Sequence, residues 1–159
     1  MFTEPTLDFD DNGKFVTLKE GRRKLKYFFA DSSILTYPER DIKMPGVDVK
    51  FSLSQDDMNN IRKASSTLGL SELVVSCNDG KVVLTVTDTK NPTTNSFDIE
   101  LADVTCDQDF SIIFNINNLR FASGDYEVEV SSKLLANFIN TTQPLSYFVA
   151  LEKNSTFGV

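Results

Sequence analysis

The sequence contains no histidine among its 159 residues. That removes the side chain whose ordinary pKa suits acid–base work near neutral pH, and the commonest metal ligand. Enzymes without histidine exist, so the absence weakens a catalytic reading without closing it. Other absences point the same way. There is no Gly-rich phosphate loop, no nucleophile elbow and no metal motif. Asp10-Asp11 and Asp56-Asp57 are adjacent carboxylates, but neighbours in sequence aim their side chains apart rather than at one site. Asp107 and Asp109 could share a strand face and hold a cation, with a solvated loop as the plainer reading. Only two cysteines occur, Cys77 and Cys106. Their spacing matches no metal site and is expected to leave two reduced thiols in an intracellular protein. No apolar run approaches the roughly 20 residues that span a membrane. The start, Met1 to Pro5, shows neither the basic nor the apolar region of a signal peptide.

Positive charge is also short. Lysine and arginine total 16 against 23 aspartate and glutamate, a net charge of −7. A free nucleic-acid binder is ordinarily basic, because its affinity comes largely from neutralising phosphates. The deficit is uneven, however. Residues 1–46 carry 8 basic and 8 acidic side chains, and residues 47–159 carry 8 and 15. A chain that is acidic on one face and basic on another stays possible, since the local field matters more than the sum.

What is present is mostly β-strand punctuated by turns. Leu7 to Asp10 alternates, Asp11-Asn12-Gly13 is a hairpin turn, and Lys14 to Lys19 follows as its partner strand. After Glu20-Gly21, Arg23 to Phe29 forms a third strand. Three strands alone are marginal. Residues 31–46, with Pro38, Pro45 and several charges, read as a linker. From Val47 to Leu53 the pattern alternates strictly. Ser54 then caps a predicted helix over 55–68, with Asp57 at the third helical position, Leu53 and Met58 as a staple, and Met58, Ile61, Ala64 and Leu68 on one stripe. Gly69 suits the position just past its end. Strands at 72–77, 81–87 and 97–101 follow, giving β-α-β-β-β. The order recurs more faintly: a strand at 110–114, a short helix within 115–121, and strands at 125–130, 135–139 and 146–151. The expected fold class is α+β, with a doubled β-α-β-β-β unit and an internal structural repeat.

A doubled β-α-β-β-β unit resembles the DNA-clamp fold, with outer antiparallel sheets and inner helices. The chain is similar in particular to the sliding clamps of T-even-type tailed phages. The resemblance rests on Phe110 to Phe121 followed by Ser123-Gly124-Asp125-Tyr126, and on the tail from Tyr147 to Thr156, notably Val149-Ala150-Leu151-Glu152 and Ser155-Thr156. It implies that residues 47–159 form a complete second clamp domain. Residues 1–46 would be the end of the first domain plus the linker, with about half of that first domain missing at the front. It further implies a trimeric ring that encircles double-stranded DNA without reading its sequence. Such a ring tethers the replicative DNA polymerase as a processivity factor, is loaded by a clamp loader, and supports late transcription, all in the cytoplasm of an infected bacterial host. The clamp needs no cofactor and does no chemistry. The reading held against it is a non-catalytic β-rich phage structural or adaptor protein. A small hydrolase is the third, and the missing histidine disfavours it.

In a clamp the helices line the hole, so Arg62 and Lys63, away from the Met58/Ile61/Leu68 stripe, are candidate DNA contacts. Arg120 is the matching candidate in the second repeat, and Lys133 could lie near the same surface. Lys24 and Lys26 belong to the dense run from Lys19 to Lys26, where Arg22, Lys24, Lys26 and Phe28 share one strand face and Arg23, Leu25, Tyr27 and Phe29 the other. Charge guarding an edge strand competes with DNA contact there. Clamp partners insert an apolar peptide into a pocket, for which the candidates are Ile34, Leu35, Tyr37, Phe148 and Phe157. Ordinary core or linker packing competes at each, least at Phe157.

Overall fold

The structure is a computed structural model that describes residues 2–36, 39–78, 80–106 and 108–158. It divides into two compact units, residues 1–41 and 42–159.

In the first unit, β1 (Thr6–Phe9), β2 (Phe15–Glu20) and β3 (Arg23–Phe28) form an antiparallel sheet in that order. Gly13 and Gly21 turn the hairpins at positive φ, a conformation glycine adopts without steric cost. The register puts Leu7, Leu18 and Leu25 in one row and Phe9, Val16 and Tyr27 in the next. The opposite face holds Lys19 beside Lys24, Thr17 beside Lys26, and Phe15 beside Phe28. The alternation expected of β3 is therefore present. A single 3₁₀ turn, Ser32–Ile34, follows, with Asp31 accepting a hydrogen bond from the Ser33 amide at 2.8 Å.

In the second unit, β4 (Val49–Leu53) leads into α1 (Gln55–Leu68). The start of α1 is fixed locally. The Ser54 side chain accepts from the Asp57 amide at 3.1 Å, and the Asp57 carboxylate accepts from the Ser54 amide at 3.3 Å, a reciprocal cap. Gly69 ends the helix in the left-handed conformation, φ +70°. Met58 and Ile61 are buried, but Leu68 is 37 % exposed and drops out of the predicted apolar stripe. It is the last helical residue, and the chain turns inward only at the buried Leu70, whose amide bonds the Ser65 carbonyl.

Then come β5 (Glu72–Asn78), β6 (Lys81–Thr87), β7 (Phe97–Thr105), β8 (Phe110–Asn115), β9 (Tyr126–Ser131), β10 (Leu135–Asn140), β11 (Ser146–Ala150) and β12 (Thr156–Phe157). One sheet has the order β12-β8-β5-β6-β7 and the other β11-β10-β9-β4. The two repeats, β4-α1-β5-β6-β7 and β8 to β11, thus exchange their leading strands. β4 pairs antiparallel with β9, and β8 pairs antiparallel with β5. Each sheet contains a three-stranded meander from one repeat extended by the first strand of the other, and β12 adds a fifth strand outside β8 in the larger sheet.

The inner faces of the two sheets and α1 meet in one core. Phe51, Leu53, Val75, Leu84, Phe114, Val128 and Phe138 belong to it, all at most 4 % exposed. The second repeat has no α-helix in the place of α1. Only the 3₁₀ turn Ile116–Asn118 forms, started by the Asn115 side chain accepting from the Asn117 amide at 3.0 Å. Buried Ile116 and Leu119 then anchor the turn three residues apart. Phe121 stacks on Tyr147 at 4.6 Å and lies 4.8 Å from Phe138. Those ring contacts hold the following segment extended where further helical turns would carry Phe121 away.

The cysteines also differ from expectation, since the structure joins Cys77 to Cys106. The pairing of β6 with β7 shifts register between Lys81 and Val82, and the Cys106 amide donates to the Gly80 carbonyl at 3.3 Å. The chain after β7 thus returns to the turn end of the β5–β6 hairpin, and the two Cα atoms lie 6.1 Å apart, inside disulfide range. That irregularity creates the proximity, and the 29-residue separation carries no sign of it.

Phe138→Ala removes a ring that is 1 % exposed and should cost about 3–5 kcal/mol. Ser54→Ala removes one cap bond and should cost about 1 kcal/mol. Urea unfolding followed by circular dichroism checks both the values and their order.

Candidate nucleic-acid interface

Four of the six candidate cations lie in the second unit. Arg62 projects from α1 and is half-buried. Its guanidinium donates to the Leu119 carbonyl at 2.9 Å. That carbonyl belongs to the peptide bond leading into Arg120, which is exposed. Arg62 of the first repeat thus reaches the backbone just before Arg120 of the second, at the end of the 3₁₀ turn. Lys63 is exposed on the next position of α1, and Asn59 and Asn60, one turn earlier, are exposed as well. The five donors of the guanidinium are not exhausted by one carbonyl, so Arg62 keeps donors for an anion.

The N-terminal end of α1 is tied to the same stretch of the second repeat. The Gln55 amide donates to the Asp125 carboxylate at 2.8 Å, and the Gln55 side-chain oxygen accepts from the Gly124 amide. Gly124 has φ +141°, and a Cβ there would meet Asn140 Nδ2 at 2.6 Å, so only glycine fits. The Tyr126 hydroxyl donates to the Ala122 carbonyl at 2.7 Å, and the Tyr147 hydroxyl accepts from the Ala122 amide at 3.3 Å. Residues 116–125 thus run beside α1 as a pinned strap, and Arg120 stands on fixed backbone.

Lys133 sits elsewhere. It is exposed in the β9–β10 turn, at the end of β9 that pairs with Val49, whereas α1 leaves the opposite end of β4. Asp48 organises this turn by accepting from the Ser132 amide at 2.6 Å. That hydrogen bond is the main cause holding the Asp48 carboxyl below its ordinary value, and the Lys133 charge adds to it.

Lys24 and Lys26 belong to the first unit and are exposed. Lys24 faces Lys19 across the β2–β3 pair, while the Lys26 ammonium lies 3.6 Å from the centre of the Phe15 ring and 4.8 Å from that of Phe28.

Glu127, Glu129, Glu100 and Asp98 lie on the sheet faces turned away from the core. Lys50 there contacts Glu129 at 3.5 Å and Glu127 at 3.9 Å, Lys81 contacts Glu100 at 2.7 Å, and Thr85 donates to Asp98 at 2.6 Å. The Glu100 hydrogen bond raises the Lys81 pKa.

Of the peptide-pocket candidates, Ile34 and Leu35 are 73 % and 54 % exposed on the 3₁₀ turn of the first unit. Phe148 lies on the outer face of the four-stranded sheet beside Asn137. Phe157, in β12 against Phe110, lines a cavity of about 480 Å3 together with Val49, Val82, Val104 and Phe110, near the exposed Asp48 and Asp109. This cavity opens at the N-terminal ends of β4 and β8, while α1 and the strap follow their C-terminal ends. The cavity was not readable from local spacing, since its walls come from four strands and the tail. Tyr37, and Asp107 of the carboxylate pair, lie outside the described residues. Among the described residues, no group of three or more histidine, cysteine, aspartate or glutamate side chains could hold a metal, and no helix is long and apolar enough to cross a membrane.

Two strand-exchanged repeats with an amphipathic helix on the first define the class: this is the fold of a DNA clamp. The beta sliding clamp of Bartonella birtlesii superposes with a TM-score of 0.55 at 18% identity, covering 88% of this chain and 40% of that one. The Helicobacter pylori beta clamp bound to a DNA ligase peptide gives 0.57 at 12% identity, covering 96% and 42%. Within that class, the profile of the gp45 sliding clamp, C terminal, matches residues 50–153, and the chain belongs to this family. The sliding clamp of Vibrio phage KVP40 is 28% identical over 152 residues, 92% of this chain and 67% of that protein. That of Escherichia phage RB69 is 22% identical over 147 residues, 89% and 64%. The chain spans about two thirds of the length of these relatives.

Because Asp48 titrates below its ordinary value of 3.8, its contribution to stability is complete above that value and is lost as pH falls through the lower folded-state value. Thermal melts between pH 6 and pH 2.5 should show a shallower acid decline for Asp48→Ala than for the parent protein. Parallel declines would contradict the assignment.

Proposed function

We propose that this chain is the DNA-retaining part of a phage sliding clamp, a processivity factor that encircles duplex DNA and tethers the replicative polymerase. The observation that carries this reading is the bond from Arg62 to the Leu119 carbonyl. It ties α1 of the first repeat to the backbone that leads into Arg120 of the second, while the outward sheet faces hold Glu127, Glu129, Asp98 and Glu100. A chain of net charge −7 then meets phosphate locally and repels it elsewhere, which suits enclosure better than tight binding. Arg62, Lys63 and Arg120 are the principal contacts, and Lys133, Lys24 and Lys26 are secondary ones. None of these groups reads a base edge, so sliding is not arrested by sequence.

The reading carries further assignments. The subunit works as part of a homotrimeric ring, is placed on DNA by a clamp loader, and acts in the cytoplasm of the infected host, where it also supports late transcription. It catalyses nothing and needs no cofactor. Residues 1–46 supply the end of a first clamp domain with its linker, and residues 47–159 the second domain. Partner peptides use the apolar groups Ile34, Leu35, Tyr37, Phe148 and Phe157. Phe157 is the best placed of these, because its ring and Phe110 line a cavity large enough for one bulky side chain. The Helicobacter pylori clamp, which binds a DNA ligase peptide, is a precedent for such docking. A structural or adaptor module would have no use for cations of two repeats gathered at one strap.

The test is the salt dependence of binding to a short linear duplex. Each phosphate contact adds about 0.9 to the slope of log K against log salt. Lys63→Ala and Arg120→Ala should each reduce that slope by about 1, and Glu127→Ala should leave it unchanged. Unaltered slopes in the two cation variants would overturn the assignment of the α1 side.

A further inference from the structure

The bond between Cys77 and Cys106 stands at the wall of the Phe157 cavity, and its two ends are not equivalent. The register aligns Phe157, Phe110, Cys77 and Val82 in one row across β12, β8, β5 and β6. Phe157, Phe110 and Val82 line the cavity of about 480 Å3. Cys77, within that row, is 6 % exposed and belongs to the core. Cys106 follows β7 directly, is half-buried, and itself lines the cavity. A solute in the cavity therefore reaches the bond from the Cys106 side.

The same bond holds part of the cavity in place. Val104, Cys106, Gln108 and Asp109 form one wall. The regular β6–β7 register ends at Val82 and Leu101, before this wall begins. Beyond that point the disulfide ties the wall to the β5–β6 turn. The Cys106 amide helps by donating to the Gly80 carbonyl at 3.3 Å, longer than the usual hydrogen bond of this kind. Charge around the cavity is also uneven. Asp48 and Asp109 line it and are exposed, whereas Lys50, which lines it too, is engaged by Glu129 and Glu127. The local field therefore favours a cation.

We propose that the Cys77–Cys106 bond is a thiol-exchange site entered through this cavity, at which a small cationic or neutral thiol attacks Cys106 and releases the wall. The attacking thiolate forms a new S–S bond to Cys106 Sγ, the bond to Cys77 breaks, and Cys77 Sγ leaves with the electron pair and takes a proton from water. A second thiol then attacks the sulfur of the first. That frees Cys106 as a thiol and carries the two small thiols away as their disulfide. The protein gains two electrons and two protons on opening. Exchange with a small disulfide runs the sequence in reverse and restores the bond. The cavity thus has a fixed wall or a loosened one according to the thiol redox poise around the protein. The inference rests on the sheet row and on the cavity, and it stands whether or not a partner peptide docks there.

The test uses the full chain in its disulfide form, with cysteamine as cationic probe and mercaptopropionate as anionic probe at low salt. Acid-quenched samples are mapped by mass spectrometry. The first adduct should sit on Cys106, with a free thiol at Cys77. Relative to their rates on free cystine, cysteamine should be preferred by about threefold or more. Asp109→Asn should lower that preference, and Asp98→Asn, exposed on the outer sheet face, should leave it unchanged. Full reduction with dithiothreitol should speed exchange of the Cys106 amide by about tenfold while the amides of β9 and β10 keep their rates. Four results would overturn the proposal: a first adduct on Cys77, a probe preference that is absent or indifferent to Asp109→Asn, an unchanged Cys106 amide, or failure of cystamine to close the bond in the reduced chain.

Discussion

The exchange of leading strands between the two repeats of the second unit is the constraint on which the remaining structure depends. β4 belongs to the first repeat by sequence and to the sheet of the second by hydrogen bonding, and β8 does the reverse. Neither repeat can complete its sheet alone, so the halves fold as one body with one core. Phe51 of β4 packs within the core between Val128 and its neighbours, and Ile112 and Phe114 of β8 do the same beside Val75 and Leu73. Because each exchanged strand must leave its partner sheet, the next element begins at a fixed place. That element is α1 after β4 and the 3₁₀ turn with its strap after β8. The proposed cationic site rests on this placement, since Arg62 and Arg120 sit on the two elements that the exchange delivers to one side.

The charge distribution makes mechanical sense on this frame. Lysine and glutamate pair across the outward sheet faces, where Lys50 and Lys81 are engaged by carboxylates. Exposed pairs of this sort contribute little to stability, on the order of 0–1 kcal/mol. Their consequence is electrostatic: they neutralise Lys50 and Lys81 on the outer faces. Lys63 and Arg120 stand exposed on the α1 side. A protein that slides needs such weak, unpatterned contacts, because base readout would hold it at particular sequences. Contacts of that kind require no acid, base or metal.

How much was legible in the sequence varied with the range of the interaction. The cap at Ser54 and Asp57, the Gly69 terminus, the hairpins at Gly13 and Gly21 and the alternating face of β3 are local, and each was readable from spacing. So was the doubled order of elements. The replacement of the second helix by a 3₁₀ turn was not, because Phe121 is held by Tyr147 and Phe138 from strands far along the chain. The Cys77–Cys106 link was hidden for the same reason, as it depends on the register shift at Lys81/Val82 that returns the end of β7 to the β5–β6 turn. At the site, Arg62, Lys63 and Arg120 were visible as cations off the apolar stripe, but the Leu119 carbonyl that unites two of them was not. Lys133 shows the limit of such reasoning. Its charge was evident, and only the β4–β9 register separates it from the departing end of α1. The cavity lined by Phe157 was beyond reach for a similar reason, since strands from both sheets contribute to it.

The most direct test is topological. The protein, loaded by its clamp loader on a nicked circular duplex, should remain bound far longer than on the same duplex linearised with free ends, and cutting the circle should release it at once. Equal dissociation from circular and linear DNA would contradict retention by enclosure and leave the cations of α1 and the strap as an ordinary electrostatic binding surface.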